Sequence, residues 1–150
     1  MDENTYAERV ELVKSRLYRT ALMFMGSEAA ALDAVDEAVY RGLISVKKLR
    51  EPDFFDTWMT RILINVCKKT LRRTKREQPM EKMHEPAEEA YDYLPLKEAI
   101  RLLPQELREV IILRFYTGFT LAETANSLGI PQGTAATRQR RALHLLKLEL

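Results

Sequence analysis

Between Arg61 and Arg76 every charged side chain is a cation: Arg61, Lys68, Lys69, Arg72, Arg73, Lys75 and Arg76. At helical spacing, Thr57, Arg61, Asn65, Lys68, Arg72 and Lys75 or Arg76 form one polar ridge, about 25–30 Å long at roughly 1.5 Å per residue. The chemistry this suits is binding. Lys and Arg neutralise phosphates and give salt-dependent affinity, whereas Asn65 and Thr57, uncharged donors and acceptors, suit a base edge. Phe54 and Phe55 stand where a loop enters the ridge helix. Exposed aromatics beside a basic ridge are what single-stranded nucleic acid stacks on; a hydrophobic staple closing the helix entrance is the competing reading. Trp58 is read as core, against exposed stacking on a base. A second basic cluster comprises Arg138, Arg140, Arg141 and Lys147.

Acidic blocks conceal these clusters in the total. The formal net charge is only +2, from 24 Lys and Arg against 22 Asp and Glu, which as a sum argues against a polyanion binder. Yet from 28 to 37 the only charges are Glu28, Asp33, Asp36 and Glu37. With Tyr40, three of them fall off the apolar stripe as an acidic ridge, either a surface for a basic partner or a solvated face.

Catalysis has no foothold in the sequence. There is no Gly-rich phosphate loop, no His-Glu-x-x-His and no nucleophile elbow, and the carboxylates lack a histidine partner. Cys67 is the single cysteine and His84 and His144 the only histidines, too few for a disulfide or a Cys/His zinc site. The expectation is no catalytic residue, metal, cofactor or small-molecule substrate. No apolar run approaches the roughly 18 residues of a spanning helix, and no leader pattern opens the chain, so a cytoplasmic location is expected.

The elements that must position these residues are helices. With 31% charged residues, 5 Gly and 6 Pro, an all-β sandwich is excluded and an all-α fold predicted. Tyr6, Val10, Val13, Leu17, Ala21 and Phe24 space a first helix over 5–25, ending before Gly26. Ser27 caps a second, carrying Ala30, Ala34, Val35, Ala38 and Val39. A third begins near Asp53 or Asp56, either of which can cap it, with Phe55, Trp58 or Met59, Ile62, Leu63, Val66 and Leu71 inward. Residues 78–93 hold Pro79, Pro86 and several glutamates without a helical period. They read as an acidic linker between two small helical domains, 1–77 and 94–150.

The second domain has the order of a helix-turn-helix. A short helix over 96–103 stops at Pro104, which suits the first turn of the next helix, carrying Leu107, Val110, Ile111, Arg114 and Phe115 and ending before Gly118. Thr120 and Glu123 make a capping box for a helix with Leu121, Ala122, Ala125 and Leu128 inward, terminated by Gly129. A turn through Ile130, Pro131, Gln132 and Gly133 leads into a basic final helix, the member that enters a DNA major groove. There Ala135, Ala142 and Leu146 face inward, and Gln132, Ala136, Thr137, Arg140 and Arg141 face DNA. Arg140 and Gln132 suit base edges, Arg141 and Thr137 suit phosphates, and Arg138 divides between a phosphate contact and an intradomain ion pair.

These residues resemble the extracytoplasmic-function class of bacterial RNA polymerase sigma factors, of the sigma-70 family, over nearly the whole chain. The resemblance rests on LYRTALMFMGS, DAVDEAVYRG and FFDTWMTRILINVCKKTLRR in the first half, and on LPQELREVIILRFYTGFTLAETANSLGIPQGTAATRQRRAL in the second. It implies a transcription initiation factor in which Asp33, Asp36, Glu37, Tyr40 and Arg41 dock on core RNA polymerase. Phe54, Phe55, Trp58, Arg61, Asn65, Lys68, Lys69 and Arg72 would open and capture the minus-ten element. Gln132, Thr134, Ala136, Thr137, Arg138, Arg140 and Arg141 would meet the minus-thirty-five element. The linker would thread toward the active-site cleft and RNA exit channel as a mimic of nucleic-acid charge, and an anti-sigma factor, often membrane-anchored, would hold the free protein. The chain departs from the family's pattern at Ala30, Leu32, Ala135, Ala136 and Gln139. A stand-alone helix-turn-helix regulator, with the first half as a sensing or dimerising module, is the alternative.

Overall fold

The computed structural model describes residues 1–77 and 95–148, and their regular structure is entirely helical. The expected linker lies outside the described residues. The chain divides into two compact units, Met1–Gln78 and Pro79–Leu150.

In the first unit α1 (Glu3–Met25), α2 (Glu28–Ser45) and α3 (Phe55–Glu77) pack pairwise as a three-helix bundle. The α1 helix starts two residues earlier than its apolar stripe suggests, because Asp2 caps it. The Asp2 carboxylate accepts the Thr5 N–H at 2.8 Å, and that bond holds its carboxyl below the ordinary value. At the start of α2, Ser27 Oγ accepts the Ala30 N–H at 3.2 Å. The buried face of α2 is built of small residues, Ala31, Ala34, Val35, Ala38 and Gly42. Larger groups on the neighbouring helices, among them Leu17, Met59 and Leu63, therefore supply most of the apolar bulk.

Gly42 leaves no room for a side chain. A Cβ there would strike the Tyr6 hydroxyl and lie 3.1 Å from Met59 Sδ. The same hydroxyl donates to the Val39 carbonyl at 2.6 Å, and burial pushes the Tyr6 phenol up to about 12. Gly42→Ala is expected to cost about 1–3 kcal/mol through overpacking. In a Tyr6→Phe background, which lacks the obstructing oxygen, the same change should cost much less; denaturant unfolding of the four proteins measures the coupling.

Neither aspartate proposed as the α3 cap has that role. A short 3-10 turn, Pro52–Phe54, holds Asp53, and Asp56 lies inside the first turn of α3 with its carboxylate 3.1 Å from Arg16 Nη1 on α1. An ion pair across helices takes the carboxylate that sequence reading assigned to the helix end.

In the second unit α4 (Leu96–Leu102) and α5 (Gln105–Ile111) are separated by Leu103 and Pro104, the proline standing just before α5 instead of in its first turn. The chain then continues as a π-helical segment, Ile112–Thr117, up to Gly118. Winding with i to i+5 bonds shifts the helical phase. In this segment Phe115 is 43% exposed and Thr117 is buried.

The capping box before α6 (Leu121–Leu128) forms as read: Glu123 N–H donates to Thr120 Oγ1 at 3.1 Å and Thr120 N–H to Glu123 Oε1 at 2.9 Å. Thr120→Ala should cost about 0.5–2 kcal/mol, visible in thermal unfolding. The buried residues of α6 are Thr124, Ala125 and Ser127, with Leu121 and Leu128 half-buried, whereas Ala122, expected inward, is exposed. Gly129 ends α6 at φ 68°, in the left-handed region that a Cβ disfavours. The turn is shorter than expected, since α7 (Gln132–Leu145) already begins at Gln132.

Candidate nucleic-acid interface

The entrance to α3 separates the two phenylalanines. Phe55 is fully buried, its ring 6.0 Å from that of Tyr6 and 5.8 Å from that of Trp58, with the Arg9 guanidinium 5.8 Å above it. It therefore leaves the set of residues offered to a ligand. Phe54 is 51% exposed and remains in it. Trp58 is half-buried while Met59 takes the core position, so the indole offers an edge and also packs on Phe55. Thr57 is only 6% exposed and its hydroxyl donates to the Phe54 carbonyl at 3.1 Å. It tightens the turn that presents Phe54 and cannot serve as the base reader expected of it.

Further along α3, Arg61, Asn65, Lys69 and Arg72 are exposed and Lys68 is half-buried. On α2, Asp33, Asp36, Glu37, Tyr40 and Arg41 are all exposed, Asp36 on the side turned toward α1 and the other four toward α3, with Arg41 Nε 2.7 Å from Glu37 Oε1. A groove of about 660 Å³ runs between the helices and brings Tyr40 and Arg41 together with Asn65, Lys69 and Arg72. A second, of about 370 Å³, joins Asp33 and Glu37 with Lys69 and Arg73. The acidic and basic ridges, read from sequence as separate features, thus share a groove. Sequence reading missed Ile44, 65% exposed in its wall beside Tyr40. The signal was present, because 40, 43 and 44 are apolar positions that the buried stripe of α2 leaves outside.

Helix α7 presents the other cationic surface. Gln132, Thr137, Arg140 and Arg141 are exposed; Thr134, Ala136 and Arg138 are half-buried. Gln132, Ala136 and Arg140 recur every fourth residue along one stripe, as a surface entering a groove must. Arg140 Nη2 reaches Thr137 Oγ1 at 3.4 Å. Arg138, left between two roles by sequence, lies 3.9 Å from Glu106 Oε2 of α5. Thr134, Thr137 and Arg141 line a concavity of about 340 Å³ beside that pair.

Cys67 is buried in the bundle, and burial pushes its thiol up to about 12. No group of three or more His, Cys, Asp or Glu side chains suited to a metal occurs among the described residues. No described helix is long and apolar enough to cross a membrane.

Two family models match, each on one unit: Sigma-70 region 2 over residues 9–77 and Sigma-70, region 4, over residues 99–148. The chain is 32% identical over 142 residues to RNA polymerase sigma factor SigV of Bacillus subtilis, covering 91% of this chain and 86% of that protein. With the ECF RNA polymerase sigma factor SigW of the same organism it shares 25% identity, over 99% of this chain and 90% of the relative. Among solved structures it is similar to the sigma factor RpoE of Bartonella quintana, in complex with the anti-sigma factor NepR. The TM-score is 0.76 at 23% identity, over 97% of this chain and 99% of the other. CnrH, in complex with the cytosolic domain of CnrY, gives a TM-score of 0.71 at 22% identity, over 97% and 87% of the two chains. With acidic and basic ridges in its first unit, a basic helix-turn-helix in its second and these likenesses along its length, the chain belongs to the extracytoplasmic-function class of RNA polymerase sigma factors.

Proposed function

We propose that this transcription initiation factor divides its work among three surfaces. The exposed ridge of Asp33, Asp36, Glu37, Tyr40 and Arg41 docks on core RNA polymerase. Phe54, the edge of Trp58, and Arg61, Asn65, Lys68, Lys69 and Arg72 capture the minus-ten element as single strand. Gln132, Thr134, Ala136, Thr137, Arg140 and Arg141 meet the minus-thirty-five duplex, while Arg138 serves inside its own unit. The observation that carries this reading is the cationic ridge of α3, entered through an exposed aromatic and faced by carboxylates across one groove. A duplex-binding regulator has no use for that combination in its first unit, whereas a protein that must hold a polymerase and an opened strand together does.

The polymerase supplies the chemistry, so the chain is no enzyme, and it works where polymerase and chromosome are, in the cytoplasm. Of the two similar solved structures, one holds its sigma factor bound to an anti-sigma factor and the other holds CnrH bound to the cytosolic domain of CnrY. On that likeness an inhibitor of this chain is proposed as well, covering the Tyr40 and Ile44 wall of the groove and the DNA-facing side of α7.

Purified core polymerase with this chain is expected to start transcription at a cognate promoter, and neither component alone. A chain that fails to direct initiation from any member of a promoter library would overturn the reading. Within it, Arg140→Ala should cost about 1–3 kcal/mol at one upstream base pair and relax preference there. Arg141→Ala should weaken all sequences alike and reduce the salt slope by about one. Promoter binding across salt concentrations separates the two.

A further inference from the structure

Within residues 132–141, the DNA-facing part of α7, only Ala135 is buried, and a methyl group alone anchors a helix poorly. The larger buried side chains, Leu143 and Leu146, come at the far end. The middle of the helix also carries a polar tie. Arg114, half-buried in the π-helical segment, donates from Nε to Gln139 Oε1 at 2.9 Å and from Nη1 to the Phe119 carbonyl at 2.6 Å. Its guanidinium also lies 5.5 Å from the centre of the Phe115 ring. One planar cation therefore ties three parts of the unit: the π-helical segment, the strap leading into α6, and α7 between Ala136 and Arg140. Glu106 of α5 adds a looser tie to Arg138 at 3.9 Å.

We propose that Arg114 and Gln139 are positioning residues for upstream promoter recognition: they fix the rotation of α7 about its axis and so aim Arg140 and Gln132 at base edges. The geometry requires a planar donor with two separated N–H groups, which a lysine lacks. Bidentate base contacts are sensitive to small displacements, so loosening the tie lowers discrimination more than it lowers overall DNA affinity, which rests on phosphates. The role depends on the proposed function of α7 and is tested in the full chain bound to core polymerase.

The experiment is selection of promoter duplexes, randomised at both elements, by core polymerase carrying wild-type chain, Gln139→Leu, Gln139→Glu or Arg114→Lys. Thermal unfolding and core binding are measured on each. Gln139→Leu keeps the volume but removes the acceptor. It and Arg114→Lys are expected to reduce discrimination between the selected upstream element and its single-base variants by about tenfold, the weight of one good base contact. Minus-ten preference and core binding should stay as in wild type, and Gln139→Glu, which keeps the acceptor, should stay sharp. Equal upstream discrimination in wild type and Gln139→Leu overturns the positioning role, as does equal loss in Gln139→Leu and Gln139→Glu. A wild-type chain that enriches minus-ten sequences but no upstream element overturns the assignment of α7 itself, and the positioning role with it.

Discussion

Phe55→Ala is expected to destabilise the first unit by about 3–5 kcal/mol, whereas its neighbour Phe54→Ala leaves stability nearly unchanged and cripples promoter opening. The contrast follows from one turn of chain. The Phe55 ring is fully buried between Tyr6 and Trp58 with Arg9 above it, so truncation opens a cavity between α1 and α3. The Phe54 ring stands half in solvent at the entrance of α3, held by the hydrogen bond from Thr57 to its carbonyl. Stacking on a base is worth about 1–3 kcal/mol, so opening should fall by about 5- to 150-fold. Denaturant unfolding reads the first effect and permanganate reactivity of minus-ten thymines the second. Equal opening by wild type and Phe54→Ala would remove Phe54 from the interface.

Reversing the acidic ridge is the other large perturbation. Asp33→Lys with Asp36→Lys should reduce association with core polymerase by about a hundredfold or more, because like charges facing across an interface cost several kcal/mol. Both side chains are exposed, and lysine is the better helix former, so the fold should be untouched. Titration of fluorescently labelled chain with core polymerase measures the affinity, and circular dichroism checks the helices. Unchanged association would show that the ridge is a solvated face, which is how an isolated acidic block is ordinarily read.

Much of this was legible from residue spacing alone. The stripe of α1, the Ser27 cap, the capping box at Thr120 and Glu123, and the stop at Gly129 are local devices, written in neighbouring residues, and the structure shows each of them. What spacing could not show depends on partners distant in sequence. The Asp56 carboxylate meets Arg16, forty residues away. Phe55 instead of Phe54 enters the core because Tyr6 and Trp58 leave a place for it. The chain winds as a π-helix over Ile112–Thr117, and no single-sequence period announces a change of winding. Gln139 is the clearest case. In sequence it is a departure from a family pattern, and in the structure it is the acceptor for Arg114.

On the proposed function, DNA recognition by this chain is completed only on the polymerase. The most direct measurement is binding of one selected promoter duplex by the isolated chain and by the chain with core polymerase, each read for sequence preference and strand opening. Salt-sensitive, weakly selective binding is expected of the chain alone, and selective, opened complexes only when core polymerase is present. Tight sequence-specific duplex binding by the isolated chain, unchanged when core polymerase is added and without strand opening, would contradict it.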